Sequence, residues 1–473
     1  MIKQIVIALS IVVFVTVTMR HSPSVNAQVT AKTTVTFNKE IAPIFFKSCA
    51  ECHHPGETAP FSVLSYKDVR PWAKSIKEKV ANRTMPPWHA DPQIGKWAND
   101  PRLSQAEIDT ITTWVEQGAA EGEAKDLPPT PQFTSGWKIG KPDLIVALPE
   151  AYTLEASGPD EYQYFEVDPG FKEDVYVQLA EARPDNRRIV HHIIAFVKPP
   201  SKDAVSGSHS KAELEKLKAE AEREDMQYQD GFLRRTKADA PIHNDSCQLP
   251  NGGSGNDRQG QQDSGDIVWL AAYAPGTPPF SLPSQAAIRV PAGSKLLFQM
   301  HYSKVAGSVQ KDRSSIGLIF AKQKPEKEQF VRALSNGYFS IPAGAERHQV
   351  AACWTVPEDI HVFSFAPHMH VRGKAQRVEA FYPNGKHEVL LNVPNYDFGW
   401  QASYKPTQPL ALPIGTRILV TSWFDNSARN KANPDPTKVV RWGDPTYDEM
   451  MISFISYTKD GQNLKGTTAL NRK

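Results

Sequence analysis

From Gly136 to its end the chain repeats one pattern: short apolar runs rich in β-branched and aromatic residues, broken by proline and glycine. PDLIVALP, EDVYVQLA, RRIVHHIIAFV, KLLFQMHYS and TRILVTSWF are examples. Runs of roughly five to eight residues are too short for buried helices and predict strands packed as a β-sandwich. The chain has 38 prolines and 28 glycines, so proline sets many of the turns. At 473 residues it is too long for one ordinary core, and several domains are expected. A net charge of only +2 gives no electrostatic bias toward nucleic acid, and no such partner is expected. One interruption, residues 200–266, holds the charged helical stretch SKAELEKLKAEAERED and the loop NGGSGNDRQGQQDSGD. It predicts a surface insertion with a mobile glycine-rich loop.

The N-terminus differs. Lys3, an apolar run over residues 5–17, and the small residues Val25 and Ala27 describe a secretory signal peptide spanning 1–27. The run is too short to cross about 30 Å of hydrocarbon, and no later segment approaches the roughly 18 apolar residues a span requires. The mature chain is therefore expected to be exported, periplasmic or secreted, without a stable membrane span.

Two of the four cysteines, Cys49 and Cys52, stand immediately before His53 in SCAECHHPG. Two thiols at this spacing can add to the vinyl groups of one haem, with the adjacent imidazole as axial ligand. A redox dithiol or half a zinc site would need a βαβ context or a second ligand pair, and neither lies nearby. The sixth ligand is expected from Met85, the only methionine between Gln28 and Lys125, with His89 as the competitor. Ser104 to Glu107 spells SQAE, a capping box, and Ile108, Ile111, Trp114 and Val115 follow at helical spacing up to Gly118. Residues 28–125 resemble a class I cytochrome c, which implies a small all-α domain carrying covalent haem c. The proline-rich LPPTPQF then predicts a semi-rigid linker over 126–137.

Of the 14 histidines, five fall in apolar strand-like runs, where an unpaired imidazole is costly to bury. They are His191 and His192 in IVHHIIAF, His301 in FQMHYSK, and His368 and His370 in FAPHMHVRG. Strand alternation sends His368 and His370 to one face, a good pair for one metal. Adjacent His191 and His192 point to opposite faces of an ideal strand, so both can serve one ion only at a bulge or strand end. Imidazole suits copper, zinc and iron alike, whereas a thioether selects Cu(I), and Met450 in PTYDEMMISFISY is the candidate.

The ordered set HH, QMHY, HMH and DEM in a β-rich chain resembles the copper type II, ascorbate-dependent monooxygenases, the family of peptidylglycine α-hydroxylating and dopamine β-monooxygenases. The resemblance covers roughly residues 136–473 and implies two jelly-roll sandwiches, 138–325 and 326–473, each holding one copper. It implies an electron-transfer copper on His191, His192 and His301, with Gln299 beside it. It also implies a second copper on His368, His370 and Met450, with Met451 as the register alternative, where O2 is used and a substrate C–H bond is hydroxylated.

Ala366 and Phe454 stand where peptide-amidating members carry an arginine and a tyrosine, so a glycine-extended peptide is not the expected substrate. The family's disulfides are nearly gone, leaving Cys247 and Cys353 either bridged to each other or as two thiols. The whole chain is thus expected to be a haem-coupled copper monooxygenase acting on a small organic molecule. Electrons from a periplasmic donor would enter through the haem. The alternatives are an electron-transfer or copper-binding protein without hydroxylase activity, and a carbohydrate- or surface-binding sandwich without copper.

Overall fold

The computed structural model describes residues 34–465 apart from 58, 134–135, 159, 201–225, 230–231, 236–245, 249–253, 257–265, 275–278, 283–284, 305–307, 338 and 444. The expected signal peptide and the charged stretch of the insertion lie outside the described residues. Strands dominate, and the helices are few and short. Among the described residues no helix is long and apolar enough to cross a membrane.

The helices lie at the start: Ala42–Ser48, Tyr66–Val69, Ala73–Ala81 and Gln105–Glu116. The last is capped as its sequence dictates. Ser104 accepts from the Glu107 N–H, Glu107 reaches back to the Ser104 N–H, and Gly118 takes φ +97° just beyond the helix. Ile108, Ile111 and Trp114 from its apolar stripe close a core with Phe37, Ile41, Phe45, Val69 and Val80.

The strands build two layered units that share a sheet. Its order is Leu144–Ala147, Ser315–Phe320, Val175–Arg183, Ala286–Val290, Lys327–Ser335, Ile452–Lys459, Ile360–His368 and Leu410–Leu412. The two halves join where Ala286 and Ala287 run parallel to Lys327 and Glu328. A four-stranded sheet, in the order Trp269–Tyr273, Val190–Lys198, Lys295–Tyr302 and Glu161–Val167, covers the first half. Their core includes Val177, Ile288, Leu318, Ile193, Phe298 and Met300. The second half is covered by His387–Val393, Gly373–Phe381, Arg417–Phe424 and His348–Thr355 around Val378, Val420, Phe365 and Ile455.

Three expectations change in space. The insertion is not only a surface excursion: Ser254–Asn256 pairs in parallel with His348–Thr355, and Ser246–Gln248 extends that edge. An exposed edge strand offers unpaired N–H and C=O groups, and these strands satisfy them. The proline-rich 126–137 stretch is not a free spacer. Phe133 stacks on His54 at 3.8 Å, and at the adjoining Trp137 a Cβ on Gly317 would come within 2.8 Å of the indole. Finally, Cys353 is disulfide-bonded, which removes the free-thiol alternative for it, while the side chain of Cys247, its expected partner, lies outside the described residues.

The helical region is also anchored in the second unit. Trp88, Ala90 and Trp97 are part of the core that contains Phe365 and Tyr404. Trp97 meets Tyr404 at 5.6 Å and Trp88 meets it at 4.8 Å. Backbone bonds run from Asp91 N–H to Asn392 C=O, from Ala98 N–H to Lys405 C=O and from Thr407 N–H to Lys96 C=O. The expected boundary at residue 125 is therefore one of sequence rather than of packing.

Candidate metal and haem sites

His192 and His301 face each other across the pair Val190–Lys198 and Lys295–Tyr302. The next pairing, Tyr302 with Val190, skips His191, so this residue is the extra one of a β-bulge. The bulge turns the His191 ring to the side of its neighbours. Core-facing Ile193, Ala195 and Val197 alternate with His192, so the imidazoles occupy the outer face of the four-stranded sheet.

The three Nδ1 atoms converge. His192 Nδ1 lies 3.4 Å from His191 Nδ1 and 3.3 Å from His301 Nδ1. Two metal–nitrogen bonds of about 2.0–2.1 Å at a tetrahedral angle put their nitrogens roughly 3.3 Å apart, so the donor set fits one ion. Among the described residues this is a group of three with metal-ligand spacing. Burial and the neighbouring imidazoles push the His191 pKa down to about 4 and that of His192 well below its usual value, so both rings are neutral at pH 7 and able to ligate. His301 Nε2–H donates to Asp160 Oδ2 at 3.0 Å, and Tyr162 stacks on the same ring at 4.3 Å. A carboxylate on the far ring nitrogen fixes the tautomer that presents Nδ1 inward. Gln299 donates from Nε2 to the Tyr164 hydroxyl, at 2.6 Å.

His368 and His370 come together at the end of Ile360–His368, with their rings perpendicular and 5.4 Å apart. Met369, between them, turns into the core. Both histidines use Nδ1 on oxygen: His368 donates to Gln401 Oε1 at 2.6 Å, and His370 to the Asp448 carbonyl at 3.1 Å. With Nδ1 so engaged, Nε2 is the nitrogen that His368 offers to a ligand. Burial lowers the pKa of His368, and burial with its neighbour takes His370 to about 3. Glu449 accepts from the backbone N–H groups of His370, at 2.7 Å, and Arg372, at 2.6 Å, and so holds the turn after the HMH motif.

The methionine register follows from strand parity. His368 pairs with Ile452 and Ala366 with Phe454, so these side chains share a face. Met450 packs with Ile452, Phe454 and Ala366, and with Phe196 and Trp269 of the four-stranded sheet. Met451 points the other way, fully buried in the second core. Met450 is therefore the sulfur on the histidine side.

Cys49, Cys52, His53 and Met85 line one cavity of about 910 Å³ walled by Phe45, Phe61, Val63, Trp72, Ile76 and Val80. That volume lies within the ~300–1,000 Å³ of cofactor pockets. His53 Nδ1–H donates to the Phe61 carbonyl at 3.1 Å, leaving Nε2 as the free nitrogen. Cys49 and Cys52 are not bridged, and burial pushes the Cys49 thiol up to about 12. His89 does not line the cavity, whereas Met85 does.

Sequence reasoning missed Asp160, Tyr162, Phe398, Gln401 and Glu449. Asp160 and Glu449 precede strand-like runs and carry no spacing signal. Phe398 and Gln401 lie in a loop whose relevance is set only by what it touches.

No protein-family model matches the chain. Among solved structures, one of PNGF-II aligns over 67% of this chain and 65% of that one, with 8% identity and a TM-score of 0.29, so the chain spans less than two thirds of that protein's length. The infectious bursal disease virus Gx strain aligns over 67% of this chain and 73% of that one, at 8% identity and a TM-score of 0.17. The VP2 subviral particle of the same virus aligns over 71% and 76%, at 9% identity and a TM-score of 0.18. At these scores the likenesses carry no functional conclusion.

Proposed function

We propose that the chain is an exported, haem-coupled copper monooxygenase. It would comprise a cytochrome c domain and two jelly-roll sandwiches, and hydroxylate a C–H bond of a small organic substrate: R–H + O2 + 2 e⁻ + 2 H⁺ → R–OH + H2O. The observation that carries this reading is the bulge at His191, which brings the His191 and His301 Nδ1 atoms to 3.4 and 3.3 Å from that of His192. An ordinary strand would have sent His191 to the core side.

When bound, copper at the two histidine sites and haem at CxxCH would supply single-electron transfer and the reduction of O2. This chain's own residues do the rest. Asp160 fixes the His301 tautomer, Gln401 and the Asp448 carbonyl orient His368 and His370, and Met450 offers a soft ligand that favours Cu(I). Phe454 and Ala366 give an apolar wall beside His368, suited to an uncharged substrate rather than to a carboxylate. Export agrees with the disulfide at Cys353, because such bonds persist in oxidising compartments.

The test is metal analysis joined to O2 uptake. Two coppers and one haem per chain, with O2 consumption that rises on adding small hydroxylatable compounds, are the expected result. Full metal loading without substrate-dependent O2 uptake would favour the electron-transfer alternative, and absence of copper would overturn the reading.

A further inference from the structure

The loop 397–403 of the second unit reaches the cavity of Cys49 and Cys52 and at least one histidine of each histidine site. Trp400, Gln401, Ala402 and Ser403 line the same cavity as Cys49, Cys52, His53 and Met85. Gln401 Oε1 accepts the His368 Nδ1–H at 2.6 Å, and its Nε2 donates to the Phe398 carbonyl at 3.3 Å. The Phe398 ring stacks on His191 at 5.6 Å and meets His370 at 5.8 Å. The loop is tied to the helical region: Asn99, itself on the cavity wall, donates from Nδ2 to the Ser403 carbonyl at 2.7 Å and accepts from the Lys405 N–H at 3.0 Å.

We propose that this loop is the electron junction of the molecule, and that Gln401 carries haem electrons directly to the His368, His370 and Met450 site rather than to the three-histidine site. The inference rests on the haem and copper reading above, but it reverses the entry point that the family resemblance implies. Electronic coupling decays steeply with each through-space gap and more slowly through covalent and hydrogen bonds. From the cavity wall to His368 the path is one glutamine side chain and one hydrogen bond. Toward the three-histidine site the cavity reaches Tyr273, which pairs with Ile193. That path must cross the strand ladder and pass along the backbone before it reaches His192, and the shorter one, from Gln401 through Phe398, ends on a through-space gap to His191, 5.6 Å between ring centroids, with no hydrogen bond to carry it. In the step itself one electron leaves ferrous haem, which becomes ferric, and reduces Cu(II) to Cu(I) at the site whose thioether stabilises the reduced ion. No other reactant is needed. Gln401 acts as a bridging and positioning residue, since it holds His368 and borders the haem pocket at once.

The experiment mixes the full-length holoprotein, with haem reduced and copper as Cu(II), under anaerobic conditions and follows oxidation of the ferrous haem bands. His192→Ala, which keeps copper at the methionine site, should oxidise one equivalent of haem at the wild-type rate. His370→Ala, which keeps copper at the three-histidine site, should be slower by about tenfold or more, the equivalent of ~1.4 kcal/mol on the barrier. Gln401→Leu should show a similar slowing at unchanged copper and haem content, and Gln401→Glu, which keeps the acceptor oxygen, should recover most of the rate. A purely structural role for Gln401 would instead change copper content. Should Gln401→Leu lose copper, the two histidine variants decide the matter. Fast haem oxidation in His370→Ala, or indifference to Gln401→Leu with copper retained, overturns the routing alone. Protein that binds no haem or no copper overturns the functional reading and the routing with it.

Discussion

At the scale of single residues, the structure separates pairs that the sequence left side by side. Met85 borders the cavity of Cys49, Cys52 and His53, and His89 does not. Met85→Ala is therefore expected to abolish the weak long-wavelength charge-transfer band of ferric haem while the two thioether bonds keep the haem attached, and His89→Ala should leave the band in place. Met450 and Met451 differ by face. Met451→Ala empties a fully buried position and should cost about 2–5 kcal/mol in urea unfolding. Met450→Ala should cost about 1 kcal/mol or less, yet weaken Cu(I) binding, a difference visible by titration against a Cu(I) chelator.

At the scale of elements, one histidine site departs from regular strand geometry and the other keeps it. The bulge at His191 recruits a residue that alternation assigns to the core, whereas His368 and His370 flank core-facing Met369 as alternation requires, just ahead of the turn over 370–373. Glu449 maintains that turn through two buried backbone N–H groups. Glu449→Gln leaves one of them facing an amide NH2, and an unsatisfied buried donor costs about 1–3 kcal/mol. The expected outcome is lower stability and loss of copper from the methionine site, with the three-histidine site still filled. Loss of both coppers together would mean that the two sites are not independent.

At the scale of the whole molecule, the helical region and the second β unit are interlocked through Trp88, Trp97 and the backbone bonds around them. The unfolding of these two parts is expected to be one cooperative event, with haem absorbance and β-sheet circular dichroism changing at the same temperature. Trp97→Ala should cost about 3–5 kcal/mol and separate the two transitions. Two distinct transitions in the unmutated protein would mean that the anchor contributes little.

Much of this was legible in the sequence because it depends on local rules. The capping box and Gly118 fixed the ends of Gln105–Glu116, alternation predicted the strands, and the CxxCH spacing put Cys49, Cys52 and His53 on one cavity wall. The sequence left a bulge or a strand end as the only ways for His191 and His192 to serve one ion, since two adjacent side chains do not otherwise share a face. What only the tertiary structure decided is set by contacts between segments far apart in the chain. Local rules carry no information on the anchoring of residues 88–99 in a core built some three hundred residues later. They are equally silent on the strands that the insertion lends to that sheet, and on the choice of Met450 over Met451. Nor do they show that Gln401 lies against both the cavity of Cys49 and Cys52 and His368. Each of these follows from how whole sheets pack, where burial and pairing between distant strands override the preferences of any short stretch.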